Sequence, residues 1–329
     1  MLRLPVARKA AVGLTLAAGL ALAACAGVKI TPPHEAPLPT PARMLLGKLG
    51  MTEQQPIFIR IFKAESELEV WKQREDGHFY LFKTYPICHW SGDLGPKLQE
   101  GDKQAPEGFY TVARYQMNPN SSFHLSFDLG YPNAFDRANR RTGKFLMVHG
   151  KCKSAGCYAM TDAVIEEIYA LAREAFAGGQ ERFHVHAFPF RMTDANLARY
   201  ASPKGAGRGA PRNPNLAFWQ TLKQAYDYFE TTRTVPNIEV CAGSYHVNVA
   251  WEGADLDPAG ACPRFRSGAI EPFVPRPDLV RASQRAAAPS APTNTAAARP
   301  SLEGRMNLRP GPAPVASDPI ARLLESLAN

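Results

Sequence analysis

A histidine and a cysteine stand eight positions apart in the run from Lys144 to Asp162, which reads KFLMVHGKCKSAGCYAMTD and holds His149 and Cys157. A free thiol has a pKa of about 8.5 and is mostly protonated at neutral pH, so it needs a base or a positive field to act as a nucleophile. His149 can be that base, and the amides of the turn after Gly156 can supply the field. An isolated cysteine is more often a small buried apolar residue. The Ser154-Ala155-Gly156-Cys157 setting, with His149 close by, argues against that reading here. The flanking residues predict the elements that hold the pair. Phe145 to Val148 is an apolar run of strand length, broken at His149-Gly150. A helix starts at Thr161 or Asp162, either of which can cap it.

The same residues resemble a known family. His149-Gly150 followed by Ser154-Ala155-Gly156-Cys157 is similar to the His-Gly … Ser-His-Gly-Cys signature of the YkuD-type L,D-transpeptidases, and most similar to their YafK-like branch. The companion phrases are Ile87-Cys88, Ser91-Gly92, Leu94-Gly95-Pro96-Lys97, Gly101-Asp102, Pro106 to Tyr110, Leu129 to Asn133, Arg141-Thr142-Gly143 and Phe188 to Met192. They span roughly Ile57 to Val249. The resemblance implies a mostly β fold, a sandwich or meander of YkuD type with peripheral helices. It also implies a cysteine enzyme acting on peptidoglycan peptide stems. Cys157, deprotonated by His149, would attack the carbonyl on the L-side of the scissile bond and form a thioester. An amine would resolve it to a crosslink, or water to a cut.

In this scheme Gly150, Ser154, Gly156 and Tyr158 support the loop and the oxyanion. Tyr131, Arg137 and His186 are candidates for substrate contact, with turn or core duty as the plainer explanation of each. The YafK-like branch further implies an alternative activity, a hydrolase that releases covalently attached lipoprotein from peptidoglycan. Two departures stand out: Ala155 replaces a second histidine and Ala159 an arginine common in the wider family. They bear on substrate choice and on transfer against hydrolysis.

Residues 1–24 read as an export signal, with Arg3, Arg8 and Lys9 before an apolar core, Ala10 to Leu22, too short to span a bilayer. Leu22-Ala23-Ala24-Cys25 resembles a lipobox, which implies a lipid anchor at Cys25 and, with Ala26 next, an outer-membrane, periplasm-facing location. A tether is expected over 25–43, where Thr31 to Pro41 holds five prolines in eleven positions. The catalytic domain is expected over 44–263, and a disordered Pro/Ala-rich tail over 264–329, ending in a short helix after Asp318-Pro319.

Within the domain, strands are predicted at Ile57–Phe62, Leu68–Trp71, Phe79–Tyr85, Phe109–Tyr115, Phe123–Phe127, Phe145–Val148, Phe183–Phe188 and Ile238–Cys241. Asp76-Gly77 reads as a hairpin turn. Helices are predicted at Met44–Leu49, Asp162–Phe176 and Asn215–Thr231, the second stopped by Gly178-Gly179.

The net charge of +8 is too dispersed to argue for nucleic acid. Arg191 to Lys223 carries six bases against one acid, Asp194, and could draw stem carboxylates toward a cleft, although a solvated loop is the commoner case. No cofactor motif is present. Of six cysteines, Cys25 and Cys157 have roles above; Cys88, Cys152, Cys241 and Cys262 allow three pairings that the residues do not choose between. A zinc site from His149, Cys152, Cys157 and Cys88 or His89 is the main non-enzymatic rival, with a loose ligand spacing. A scaffold that only binds cell wall is the other.

Overall fold

In the computed structural model, residues 31–202, 212–252 and 256–274 are described. The export signal, Cys25, the middle of the basic loop and the C-terminal helix all lie outside them.

Strand β1 (Ile57–Phe62) is apolar at every position except Arg60 and buried at all six. Such a run needs cover on both faces. It sits inside a five-stranded sheet of order β3-β2-β1-β10-β5, built with β2 (Glu67–Gln73), β3 (Phe79–Pro86), β5 (Gly108–Ala113) and β10 (Arg182–Phe188). The β1–β10 pair is parallel and the other pairs are antiparallel. Ile57, Ile59 and Ile61 point one way, into a core shared with Leu125, Phe127, Val148 and Tyr158. Phe58 and Phe62 point the other way, toward the helix that carries Tyr226 and Phe229. Arg60, also on that side, forks onto Glu69 at 2.7 and 2.9 Å and onto Glu230 at 2.6 Å, so its buried charge is paired.

A second sheet has the order β4-β9-β8-β7-β6. Its strands are β4 (His89–Trp90), β6 (Met117–Ser121), β7 (His124–Asp128), β8 (Met147–His149) and β9 (Tyr158–Ala159). The helices are α1 (Thr40–Lys48), α2 (Ala134–Ala138), α3 (Asp162–Ala177), α4 (Asp194–Tyr200) and α5 (Leu216–Thr232). Thr161 caps α3 through Val164 N, and Ile165, Ile168, Ala172 and Phe176 are buried as the periodicity requires. Gly178 ends it where any Cβ would run into the Gln54 carbonyl. Two hairpins close the chain, β11 (Ile238–Cys241) with β12 (Ser244–Val247), and β13 (Val249–Glu252) with β14 (Arg264–Ser267).

The fold is mostly β with peripheral helices, as the sequence implies, and described elements extend beyond both ends of the expected 44–263 span. Pro39 and Pro41 do not exclude a helix: they sit at the start of α1, where a missing N–H costs nothing. Leu38 and Ala42 are buried, and Arg173 binds the carbonyls of His34 and Ala36, so part of the expected tether is packed. At the other end, β14 and the Phe273 amide, bonded to Thr231 O at 2.8 Å, carry the ordered chain past residue 263.

The loop between β4 and β5 is tied down by a fully buried lysine just after β1. Lys63 Nζ donates to the carbonyls of Asp93 (2.7 Å), Gly95 (2.9 Å) and Ala105 (3.0 Å) and to Glu107 Oε1 (3.0 Å). Glu107 also accepts from Gly95 N and from Trp219 Nε1 of α5. Burial pulls the lysine pKa down, and the Glu107 charge is the chief force opposing it. Removing one member strands the other in a dry site. Lys63→Ala is expected to cost about 3–5 kcal/mol in urea unfolding, whereas a surface control such as Lys48→Ala stays within about 0.5 kcal/mol. A Lys63→Ala midpoint equal to the control's would contradict this account of the loop.

Candidate active site

β8 and β9 run parallel with Val148 opposite Tyr158 and His149 opposite Ala159. Val148 and Tyr158 fill the core at 0% exposure, so Met147, His149 and Cys157 belong to the opposite face of the sheet. That register makes His149 and Cys157 diagonal neighbours, with Cα atoms about 8 Å apart from strand spacing and rise. Seven residues, 150–156, separate them in sequence, and the parallel pairing brings them back together.

Cys157 is the free thiol among the described cysteines; Cys88–Cys152 and Cys241–Cys262 are disulfides. The first bridge takes two candidate sulfurs away from any zinc site and anchors the loop after His149 beside β4. Among the described residues no cluster of His, Cys, Asp and Glu is arranged to hold a metal. Cys157 Sγ accepts from Met147 N at 3.4 Å and donates to Phe145 O at 3.5 Å; the imidazole is not one of its hydrogen-bond partners. Burial pushes the thiol pKa up, the Met147 amide opposes this, and the Asp128 carboxylate adds to it.

His149 is buried under the ring of Phe123, centroids 4.5 Å apart, and its Nδ1 lies 2.6 Å from Gly150 O. A carbonyl can only accept, so Nδ1 carries the proton and the Nε2 lone pair is left to take another. Burial lowers the imidazole pKa, with the Gly150 carbonyl pulling the other way. The resting site therefore holds a neutral thiol and a neutral imidazole.

The supporting residues differ from expectation in detail. Ser154 Oγ donates to Cys157 O (2.7 Å), accepts from Gly156 N (3.1 Å) and meets Ser91 Oγ at 3.2 Å, so it orients the loop and not the imidazole. The Gly156 amide is thereby occupied and is not free for an oxyanion. Tyr158 is a core residue whose hydroxyl donates to Pro106 O at 2.5 Å, so its side chain does not serve the site. Gly150 is needed because a Cβ would meet Asp162 Oδ1 and Phe123 O.

A cleft of about 600 Å³ is lined by Tyr115, Asp128, Tyr131, Lys144, Phe145 and Met147 among others. Cys157 and His149 are not in its wall, and the cleft reaches the sulfur through Phe145 and Met147, whose backbones both hydrogen-bond Sγ. Tyr131 is thus at the cleft, although 5% exposed, with its hydroxyl donating to Lys97 O at 3.2 Å. Arg137 is not part of the cleft wall; it is exposed and donates to Pro132 O, which is turn chemistry. His186 is corrected outright as a substrate contact. It is 1% exposed in the other sheet, ringed by Phe58, Phe109 and Phe188, and burial holds it neutral. Asp128, Phe145 and Ser91 flank the site without a site signal of their own in the sequence, apart from the Ser91-Gly92 phrase for the last.

Fold and site together define a class: a β protein built on two five-stranded sheets, with a thiol and an imidazole on one sheet face and a cleft whose wall includes the thiol's backbone partners. Residues 56–180 match the YkuD family model, the L,D-transpeptidase catalytic domain. The chain is 43% identical over 195 residues to the proposed L,D-transpeptidase YafK of Escherichia coli (strain K12), covering 59% of this chain and 74% of that one. It also aligns with the crystal structure of the helical cell shape determining protein Pgp2 from Campylobacter jejuni at 18% identity and TM-score 0.33, over 60% of this chain and 79% of that one. Bd1075 of Bdellovibrio bacteriovorus aligns at 17% and 0.30, over 57% and 78%. Structural similarity at that level carries no argument. The sequence matches do: the chain belongs to the YkuD family of L,D-transpeptidase catalytic domains.

The neutral resting pair has a measurable consequence. Iodoacetamide alkylation of Cys157 in the free protein should rise with a midpoint above about 8.5, the free-thiol value. The sign follows from burial, which disfavours the thiolate. A midpoint below about 7 would show a preformed ion pair and contradict this geometry.

Proposed function

We propose that the protein is a cysteine-dependent acyl-transfer enzyme of peptidoglycan peptide stems, exported and held at the outer membrane through a lipid on Cys25. The observation that carries the chemistry is Cys157, a free thiol held by two residues of the cleft wall, Phe145 and Met147, with a histidine on the same sheet face whose Nδ1 carries the proton and leaves Nε2 to act as base. Two disulfides fit an oxidising, extracytoplasmic compartment.

The thiol starts hydrogen-bonded to Phe145 O. A bound stem displaces this contact, the S–H bond breaks, and the proton passes to His149 Nε2. The Gly150 carbonyl holds the ring through Nδ1–H as positive charge develops. The sulfur adds to the substrate carbonyl, and collapse of the adduct forms a thioester while the imidazolium protonates the leaving amine. The same imidazole then deprotonates the acceptor. An amine acceptor gives a crosslink, and water gives hydrolysis, including release of a lipoprotein attached to the stem.

General acid–base catalysis contributes about 10² to 10⁴ in rate. His149→Ala should therefore lower turnover of purified muropeptides by at least about 10²-fold, and Cys157→Ala should abolish it. Because His149 must be neutral to begin, activity is lost as pH falls through its depressed pKa, and the acid limb should lie below about 6.5. Chromatography of the products assigns the acceptor: dimers indicate transfer, free peptide indicates hydrolysis. Turnover by Cys157→Ala equal to the parent's would refute the nucleophile.

A further inference from the structure

Phe145 is in the wrong conformation for its residue type. Its φ is +57°, a left-handed backbone that is strained for a side-chain-bearing residue and an outlier for a bulky one. The side chain offsets little of this by packing, since it is 62% exposed and its ring contact is the Lys144 ammonium, 5.6 Å from the centroid. Two residues earlier, Gly143 takes φ +133° at no such cost, so a glycine at 145 would be the cheaper choice. The strained backbone does two things. It turns the Phe145 carbonyl onto Cys157 Sγ, at 3.5 Å, and it sets the exposed ring in the wall of the cleft. Tyr115, at 87% exposure, lines the same cleft. Single exposed aromatics need no explanation, but two in one concave surface next to a thiol do. Met147 joins the two features: it lines the cleft and its amide donates to the sulfur.

We propose that Phe145 is a specificity-determining residue whose ring, with that of Tyr115, is the apolar docking wall for the aliphatic part of the peptide stem that acylates Cys157. This rests on the reading of the cleft as the stem-binding site. The wall is presented next to the sulfur because the αL turn that parks the thiol also aims the ring. A substrate that packs on Phe145 covers the carbonyl holding the thiol, so docking and release of the S–H are coupled at one residue.

The test uses the full-length protein with Cys157→Ala as parent, so that affinity is read without chemistry. Muropeptide tetrapeptide is titrated and Kd measured by calorimetry in the parent, and in the parent carrying Phe145→Ala, Phe145→Gly or Phe145→Leu. The expected result is a Kd raised about tenfold by Ala and Gly alike and largely restored by Leu, which keeps apolar bulk. In the Cys157 protein, iodoacetamide is too small to need the wall and should alkylate Phe145→Ala at the wild-type rate. Equal Kd across all four proteins, or no saturable binding in the parent, overturns the proposal. So does slowed alkylation in step with weakened binding, which would mean that the loop has collapsed. Failure of the cysteine chemistry shows separately, as turnover that persists in Cys157→Ala, and leaves the affinity series to be read on its own.

Discussion

The ammonium of Lys63, shut off from water, fixes the long loop that flanks the candidate site. A buried charge without partners costs several kcal/mol, so the chain must bring oxygens to it. It does so with three carbonyls and one carboxylate, all drawn from the loop between β4 and β5. Glu107, fixed in turn by Trp219, carries that constraint across to α5. The pinned loop then reaches the thiol by two contacts: Pro106 O receives the Tyr158 hydroxyl, and Ser91 Oγ meets Ser154 Oγ, which holds the Cys157 carbonyl. Two sheets and the free thiol are thus referenced to one cation.

Burial favours the neutral form of both groups in the proposed site. Burial raises the thiol and lowers the imidazole, and these shifts act in the same sense. An ion pair would be reactive toward any electrophile that entered. On the proposed mechanism, a neutral pair becomes reactive when a ligand moves the sulfur off Phe145 O and toward Nε2. The Cys88–Cys152 bridge and the Ser154 bonds limit how far the rest of the loop can follow.

Much of this was legible from residue order. β1 and β11 fall at their predicted limits, and α3 and α5 within a residue or so, because their apolar periods and caps are local signals. His149 and Cys157 could be picked out for the same reason, lying in one short run. What could not be read depends on partners far along the chain. Lys63 and Glu107 are 44 positions apart and look like ordinary surface residues. Phe145 reads as the start of a strand, and nothing local says that it turns left-handed and leaves β8 to begin at Met147. Predicted Phe109–Tyr115 runs too far, since Gln116 folds back to cap the Ala113 amide and a 3-10 turn follows. His186 alternates with His184 as a site residue might, yet both faces of its sheet are covered.

The central claim is that sulfur on residue 157 takes the acyl group of a stem peptide. Intact-mass and peptide-mapping spectrometry of the protein, quenched in acid during turnover of muropeptides, tests it most directly. The account predicts an adduct equal to the stem acyl fragment, confined to the peptide containing Cys157, released by hydroxylamine and abolished when Cys157 is alkylated beforehand. Turnover with no adduct on that peptide under these conditions, or an adduct mapped to another residue, would contradict it.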